Sequence, residues 1–112
     1  FSLAPSGFVG LETSVGAVLT HLYHTGAVDL MTIIRAMSTA PARLLGVDAG
    51  VIAEGKDADL TIIDLDKEWT VDASSFYSKG KSSPFDEMIF TGKAVATVVD
   101  GEFVMKDGVV LK

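Results

Sequence analysis

The sequence predicts an α+β segment in which helices come first and strands follow. Residues 11–45 carry apolar side chains at helical spacing, whereas residues 58–111 contain short runs of Val, Ile and Thr separated by Gly and Asp. The helical period ends near residues 46–50, so helices and strands do not alternate along the chain. We therefore divide the chain into a first part, residues 1–47, and a β part, residues 48–112.

The first part is expected to contain a loop and two helices. Residues 1–10 combine Gly, Pro and Ser and indicate an ordered loop. The first helix should start at Leu11 and end before Gly26, with an apolar stripe made of Leu11, Val15, Val18, Leu19 and Leu22. Asp29 should cap the second helix, whose stripe is Leu30, Ile33, Ile34 and Met37. Pro41 predicts a break near Thr39, with a short restart through Leu45.

The β part is expected to end in a meander. Residues 58–65 and 67–71 should form strands, the second with Trp69 and Val71 on one face, and residues 73–92 are loop-like. Three more strands are predicted at residues 93–99, 102–106 and 109–111. The links between them, Asp100-Gly101 and Asp107-Gly108, are typical of type I′ hairpins.

The composition excludes several classes of function. Nine Lys and Arg against fifteen Asp and Glu give a net charge of -6, which argues against nucleic-acid binding. The absence of Cys removes disulfides and thiolate metal ligands. No apolar run reaches the roughly 18 residues of a membrane helix. We therefore expect no membrane partner and a cytoplasmic location.

Local patterns offer only weak candidates for chemistry. His21 and His24 lie three residues apart and could share a metal, but no third ligand follows at a recognisable spacing. Glu12 and His21 could form an acid/base pair by residue type, but nine helical residues separate them by about 13 Å, which excludes a direct hydrogen bond. The remaining candidates lack a specific pattern. An acidic cluster without EF-hand spacing is expected at turns and strand ends, and consists of Asp57, Asp59, Asp64 and Asp66. Two loop lysines, Lys79 and Lys81, are expected in solvent.

The loop at residues 4–7 (APSG) is the most suggestive local segment. Pro fixes one backbone angle, Gly allows a ligand to approach the backbone closely, and a helix start follows. Free N–H groups there could face a polar or anionic ligand. On the pattern alone, a tight loop before a helix is the simpler interpretation.

Three longer motifs resemble the dihydroorotases of the amidohydrolase superfamily. Residues 4–13 (APSGFVGLET) look like the family stretch Ala-Pro, an aromatic, Gly, and then Gly-Leu-Glu-Thr. Residues 39–46 (TAPARLLG) resemble the segment that closes the barrel helices, and residues 50–60 (GVIAEGKDADL) resemble the return to the β-sandwich. Residues 78–85 and 99–108 complete the pattern. The second and third motifs are shared with allantoinases and dihydropyrimidinases, whereas the first is more specific.

The resemblance implies a fold and an activity. The chain would contain the last helices of a (β/α)8 barrel followed by the C-terminal strands of the flanking β-sandwich. The parent enzyme would use zinc to interconvert N-carbamoyl-L-aspartate and L-dihydroorotate in pyrimidine biosynthesis. In the family, the zinc ligands and the catalytic Asp precede this segment. The resemblance therefore implies no catalytic or metal residue in this chain and an inactive isolated piece.

The resemblance also implies a substrate contact and partners. The backbone of Ser6 and Gly7 would contact the substrate, although Ser6 stands where an aromatic residue is common in the family. The expected partners are the small-molecule substrate and the N-terminal remainder of the enzyme, and a homodimer is left open. Two alternatives remain: another cyclic amidohydrolase of the allantoinase or hydantoinase/dihydropyrimidinase type, or a non-catalytic amidohydrolase-like structural module.

Overall fold

Helices precede a four-stranded antiparallel sheet in this computed structural model, which describes residue 3 and residues 7–111. The first helical stretch is α1, Ser14–Val18, continued by a π-helical turn, Leu19–Tyr23. The second runs from α2, Leu30–Ile34, through a π-helical turn, Arg35–Thr39, into α3, Ala40–Leu45. The sheet has the order β1-β2-β3-β4 and is built from Leu60–Thr70, Ile89–Val99, Glu102–Lys106 and Val109–Val110. The predicted α+β order is confirmed.

The first helix begins later than its apolar pattern predicts. Its first residue is Ser14, and the backbone N–H groups of Thr13 and Ser14 both bond to the carbonyl of Gly10, which closes a turn before the helix. Leu11 is consequently 89% exposed, so its predicted place in the buried stripe is wrong. Leu19, further along the same stripe, is 1% exposed and forms the centre of the helix contact with the sheet.

The second helical stretch does not break where Pro41 predicted a break. Thr39 keeps helical backbone angles, and the stretch continues to Leu45. Pro41 falls in the first turn of α3, where a missing N–H removes no required helical bond, and the preceding π-helical turn changes the bonding pattern just before it. Of the predicted apolar stripe only Ile33 is fully buried.

Asp29 caps α2 as the sequence predicts. Its Oδ1 accepts a 2.9 Å hydrogen bond from the backbone N–H of Thr32, and its Oδ2 accepts another of 2.9 Å from the Thr32 hydroxyl. The backbone bond is the largest cause that holds the pKa of Asp29 below its ordinary value, followed by the bond from the hydroxyl. The two bonds therefore favour the ionised carboxylate over the protonated one.

Acid is expected to weaken this cap. A carboxyl whose pKa is lowered by folding stabilises the folded chain above the unfolded pKa, and that stabilisation is lost as the pH falls through the folded pKa. The Asp29→Asn variant keeps a capping oxygen but cannot titrate. Urea denaturation from about pH 5 to pH 2 should show a steeper loss of stability in the wild type than in Asp29→Asn. Parallel pH curves would contradict the assignment.

The observed strands differ from the predicted ones at two places. The predicted strands at residues 58–65 and 67–71 form one strand, β1, whose register with β2 shifts between Asp64 and Glu68. At that irregularity Asp64 accepts a 3.0 Å bond from the backbone N–H of Asp66. Strand β2 starts at Ile89, inside the stretch predicted as loop. Pairing with β1 extends β2 beyond its own local pattern.

The predicted meander at the end of the chain is confirmed. Strand β3 has the predicted bounds, and each link has positive φ at both central residues. The values are 49° at Asp100, 77° at Gly101, 50° at Asp107 and 82° at Gly108. These angles match a type I′ turn, whose twist suits antiparallel strands.

The core lies between the first helix and β2. Phe90 is 0% exposed and packs with Val71, Ala73 and Phe76. Close approach depends on one glycine from each element. A Cβ on Gly16 would lie 2.7 Å from Cδ2 of Phe90, and a Cβ on Gly92 would lie 2.7 Å from Cδ1 of Leu19. The two glycines therefore bring the helix down onto the strand.

Hydrogen bonds reinforce this contact where the helix meets β2. The Thr20 hydroxyl oxygen accepts a 3.0 Å bond from the backbone N–H of Thr91. Beside it, the indole N–H of Trp69 on β1 donates a 3.0 Å bond to the carbonyl of Gly92, which ties β1 to β2 at the same place.

Among residue 3 and residues 7–111, no helix is long and apolar enough to cross a membrane.

Candidate functional site

The candidate substrate loop, residues 7–12, leads into the turn before α1. Gly7 is exposed and has a φ of 129°, a conformation that residues with side chains rarely adopt. Within the described part of the chain, and apart from its two chain neighbours, no atom lies within 4 Å of the place that a Cβ on Gly7 would take. The backbone at Gly7 is therefore not covered by other described residues. Ser6, the other predicted contact, lies outside the described residues.

A segment of the β part supports this loop. We call residues 76–85 the backing segment. The backbone N–H of Val9 donates a 3.0 Å bond to the carbonyl of Ser82. The rings of Phe8 and Phe85 meet edge to face with centroids 6.4 Å apart. A Cβ on Gly80 would lie 2.9 Å from Cγ1 of Val9, so the two segments touch closely.

Glu12 makes the most specific link between the loop and the backing segment. Its Oε2 accepts a 3.0 Å bond from the backbone N–H of Tyr77. Its Oε1 accepts a 3.0 Å bond from the backbone N–H of Ser78 and a 2.9 Å bond from the Ser78 hydroxyl. Both carboxylate oxygens are therefore engaged, and hydrogen bonds to an ionised acceptor are the stronger class. We call this arrangement the Glu12 clamp.

The electrostatic surroundings keep Glu12 ionised. Partial desolvation is the largest single influence and raises the pKa of Glu12, but the bonds from Ser78 and Tyr77 and the charge of Lys81 together outweigh it. The net result is a pKa below the ordinary value. The Lys81 ammonium also donates to the carbonyl of Phe76, so this lysine belongs to the same structured segment. Lys81 is exposed, as the sequence predicts, but it also bonds within the protein.

The two histidines point to different partners. A ring nitrogen of His24 lies 2.7 Å from the carbonyl oxygen of Leu65, whereas the ring of His21 meets Phe90 edge to face at 5.7 Å. Among the described residues no group of three His, Cys, Asp or Glu side chains could hold a metal ion. The described residues therefore do not fit a zinc site, and we derive no reaction step through a metal in this chain.

Two members of the acidic cluster have the turn and strand-end roles expected for them. Asp59 accepts a 2.9 Å bond from the backbone N–H of Asp100, at the turn between β2 and β3. Asp64 caps the irregular part of β1 through the N–H of Asp66. These contacts are within the protein and support the interpretation that the two carboxylates organise the backbone.

With this geometry established, comparison with known proteins identifies the family. Residues 6–104 match the sequence profile of the amidohydrolase family. The chain belongs to the amidohydrolase family. The resemblance to dihydroorotases is also confirmed at the level of sequence. A dihydroorotase of Pelotomaculum thermopropionicum is 44% identical over 98% of this chain, and one of Bacillus subtilis is 39% identical over 98%.

The fold comparison agrees with the family. An L-hydantoinase (dihydropyrimidinase) from Arthrobacter aurescens matches 97% of this amidohydrolase chain with a TM-score of 0.92 and 43% sequence identity. The chain covers 25% of that structure and 26% of each of the two dihydroorotases. It therefore spans about a quarter of the length of these relatives, as a segment of helices and antiparallel sheet from the amidohydrolase fold.

Sequence reasoning missed the Glu12 clamp. Glu12 was noted only as part of a motif and as an unsuitable partner for His21. Its true partners, Tyr77 and Ser78, lie 65 and 66 positions away along the chain. No local pattern signals a contact at that distance, although Glu12 and Ser78 fall inside motifs that resemble the family.

Proposed function

We propose that this chain is the C-terminal part of a dihydroorotase that interconverts N-carbamoyl-L-aspartate and L-dihydroorotate in de novo pyrimidine biosynthesis. The observation that carries the proposal is 44% identity to a protein named dihydroorotase over almost the entire chain. The likeness to an L-hydantoinase, at 43% identity, favours a second candidate, a hydantoinase or dihydropyrimidinase activity on another cyclic amide.

In this proposal Ser6 and Gly7 contribute the backbone contact to the substrate. Both substrates carry carboxylates and amide groups, which pair well with backbone N–H and C=O groups. The positive φ of Gly7 and the open space around it allow a ligand to approach the main chain without a side chain in the way. The fixed loop would orient the ring or the open-chain acid for reaction.

The reacting groups come from the remainder of the parent enzyme. We propose that residues outside this chain hold zinc and the catalytic Asp, which makes the isolated piece inactive. In the same scheme residues 1–47 supply the substrate loop and the last barrel helices, and residues 48–112 supply a β-sandwich segment. The parent enzyme would act in the cytoplasm, and a homodimer remains part of the proposal.

Exposed apolar surface supports a large partner such as the N-terminal remainder. A groove of about 430 Å³ runs between the second helical stretch and β1, and its apolar lining includes Ile34, Met37, Val51 and Ile52. Each of these four side chains is more than a third exposed. The radius of gyration is 15.4 Å, whereas a compact domain of this length has about 13 Å.

The test of the proposal is an assay of the full-length enzyme. Purified protein with its metal retained should interconvert carbamoyl aspartate and dihydroorotate, and hydantoin and dihydrouracil should be poor substrates. Preference for hydantoin would replace the proposal with the second candidate. No turnover of any of these compounds by metal-loaded enzyme would reject both and favour a structural module.

The Gly7→Ala substitution is expected to impair the full-length enzyme. A side chain at a φ of 129° is strained by about 1–3 kcal/mol, so the backbone should move away from its contact with the substrate. We expect kcat/KM for dihydroorotate to fall about tenfold. Steady-state kinetics of Gly26→Ala provides the matched control, because Gly26 also has a positive φ, 78°, and open space at its Cβ position among the described residues, but it lies outside the loop. Equal activity of both variants would remove Gly7 from the site.

A further inference from the structure

We propose that Glu12 is a positioning residue for the substrate loop, and that the backing segment of the β part is the platform on which it acts. The inference rests on the proposed function, because it assumes that the loop meets the substrate at Gly7. It adds that the Glu12 carboxylate, in residues 1–47, affects substrate affinity through its hydrogen bonds to the backbone of residues 48–112.

The chemistry of the clamp requires a carboxylate of this length. Three donors converge on two oxygens, at 3.0 Å from Tyr77 N–H and at 3.0 and 2.9 Å from the N–H and hydroxyl of Ser78. A glutamine has one acceptor oxygen, and its NH2 group would face a backbone N–H donor. An aspartate is one methylene shorter and could not keep both backbone bonds in place.

The clamp fixes one end of the loop, and Gly7 at the other end is exposed. Three links join the loop to the backing segment: the Glu12 clamp, the bond from Val9 to Ser82, and the contact of Phe8 with Phe85. Gly7 lies before all three links and is exposed. The loop is therefore held along most of its length while the backbone predicted to contact the substrate remains accessible.

The clamp lies at the surface, beside the core of the fold rather than inside it. The buried centre consists of side chains such as Leu19, Val71 and Phe90, whereas Glu12 and Tyr77 are exposed. Loss of the clamp should move the loop without unfolding the chain. This separation makes an effect on substrate binding distinguishable from a general effect on stability.

The experiment compares Glu12→Gln with the wild type in the full-length, metal-loaded enzyme. We expect KM for dihydroorotate to rise about tenfold with kcat changed less than twofold, because ground-state and transition-state binding both use the loop. The Ser78→Ala variant removes only the hydroxyl donor and should raise KM about two- to threefold. It provides a second measurement if Glu12→Gln does not fold.

Asp72→Asn is the matched control. Asp72 is a nearby exposed carboxylate that accepts bonds from the N–H and hydroxyl of Ser74, at 3.0 and 2.6 Å, and among the described residues it has no hydrogen bond to the loop. Its KM should equal that of the wild type. An unchanged KM in both Glu12→Gln and Ser78→Ala, or an equal rise in Asp72→Asn, would overturn the inference. Failure of the proposed function is separate, because wild-type enzyme would then show no turnover of dihydroorotate.

Discussion

Replacing Gly92 with alanine is expected to lower the free energy of unfolding by about 3 kcal/mol. Gly92 has a φ of 109°, and a Cβ there would lie 2.7 Å from Cδ1 and 2.9 Å from Cβ of Leu19. Leu19 is 1% exposed and has little room to move. The added methyl group would therefore push the first helix away from β2. Urea denaturation of the full-length protein measures the loss.

The Gly55→Ala variant separates backbone strain from the clash. Gly55 has a φ of 81°, but in the described part of the chain nothing lies within 4 Å of its Cβ position. Its substitution should cost about 1 kcal/mol, from the backbone alone. If Gly55→Ala and Gly92→Ala were equally destabilised, the close packing of Leu19 on β2 would not be the cause.

Phe90→Ala is expected to have the other large effect, a loss of about 3–5 kcal/mol. The Phe90 ring is 0% exposed. It meets three other rings edge to face, with centroid distances of 5.6 Å to Trp69, 5.4 Å to Phe85 and 5.7 Å to His21. Removal of the ring would leave a cavity bounded by groups that cannot all collapse into it. Thermal and urea unfolding should both report the loss.

Phe103→Ala is the control for this substitution. Phe103 lies on β3 of the same sheet but is 47% exposed. Its removal should cost less than about 1 kcal/mol. A similar cost at the two positions would mean that Phe90 does not form the centre of the core.

The Phe90→Ala substitution should also loosen the candidate substrate loop. Phe90 contacts Phe85, and Phe85 in turn contacts Phe8 of the loop, with centroids 5.4 and 6.4 Å apart. These rings join the packed centre of the β part to the backing segment and then to the loop. Amide exchange at residues 7–12 should therefore be faster in Phe90→Ala than in Phe103→Ala.

Local chemistry explains which features of the fold could be predicted. The Asp29 cap uses a donor three residues away, and each Asp-Gly turn is decided by the φ angles of two adjacent residues. The order of helices before strands follows from the change in apolar period along the chain. Such features depend on residues within a few positions of each other and can therefore be predicted from the local sequence.

Local patterns failed where distant partners supplied the missing interactions. The apolar period predicted Leu11 as a buried helical residue, but a turn closed by Gly10 delays the helix and leaves Leu11 exposed. Residues 89–92 read as loop until pairing with β1 makes them a strand. Pro41 predicted a break, but its position in the first turn of α3 lets the helical stretch continue.

For the candidate substrate loop, the sequence by itself determined the family resemblance, the glycine at position 7 and the helix that follows. Only the tertiary structure decided that Glu12 reaches Tyr77 and Ser78, and that Gly16 and Gly92 bring helix and strand together. The physical reason is the range of each interaction. Backbone preferences act between neighbours, whereas the clamp and the glycine contacts exist only after the whole chain has packed.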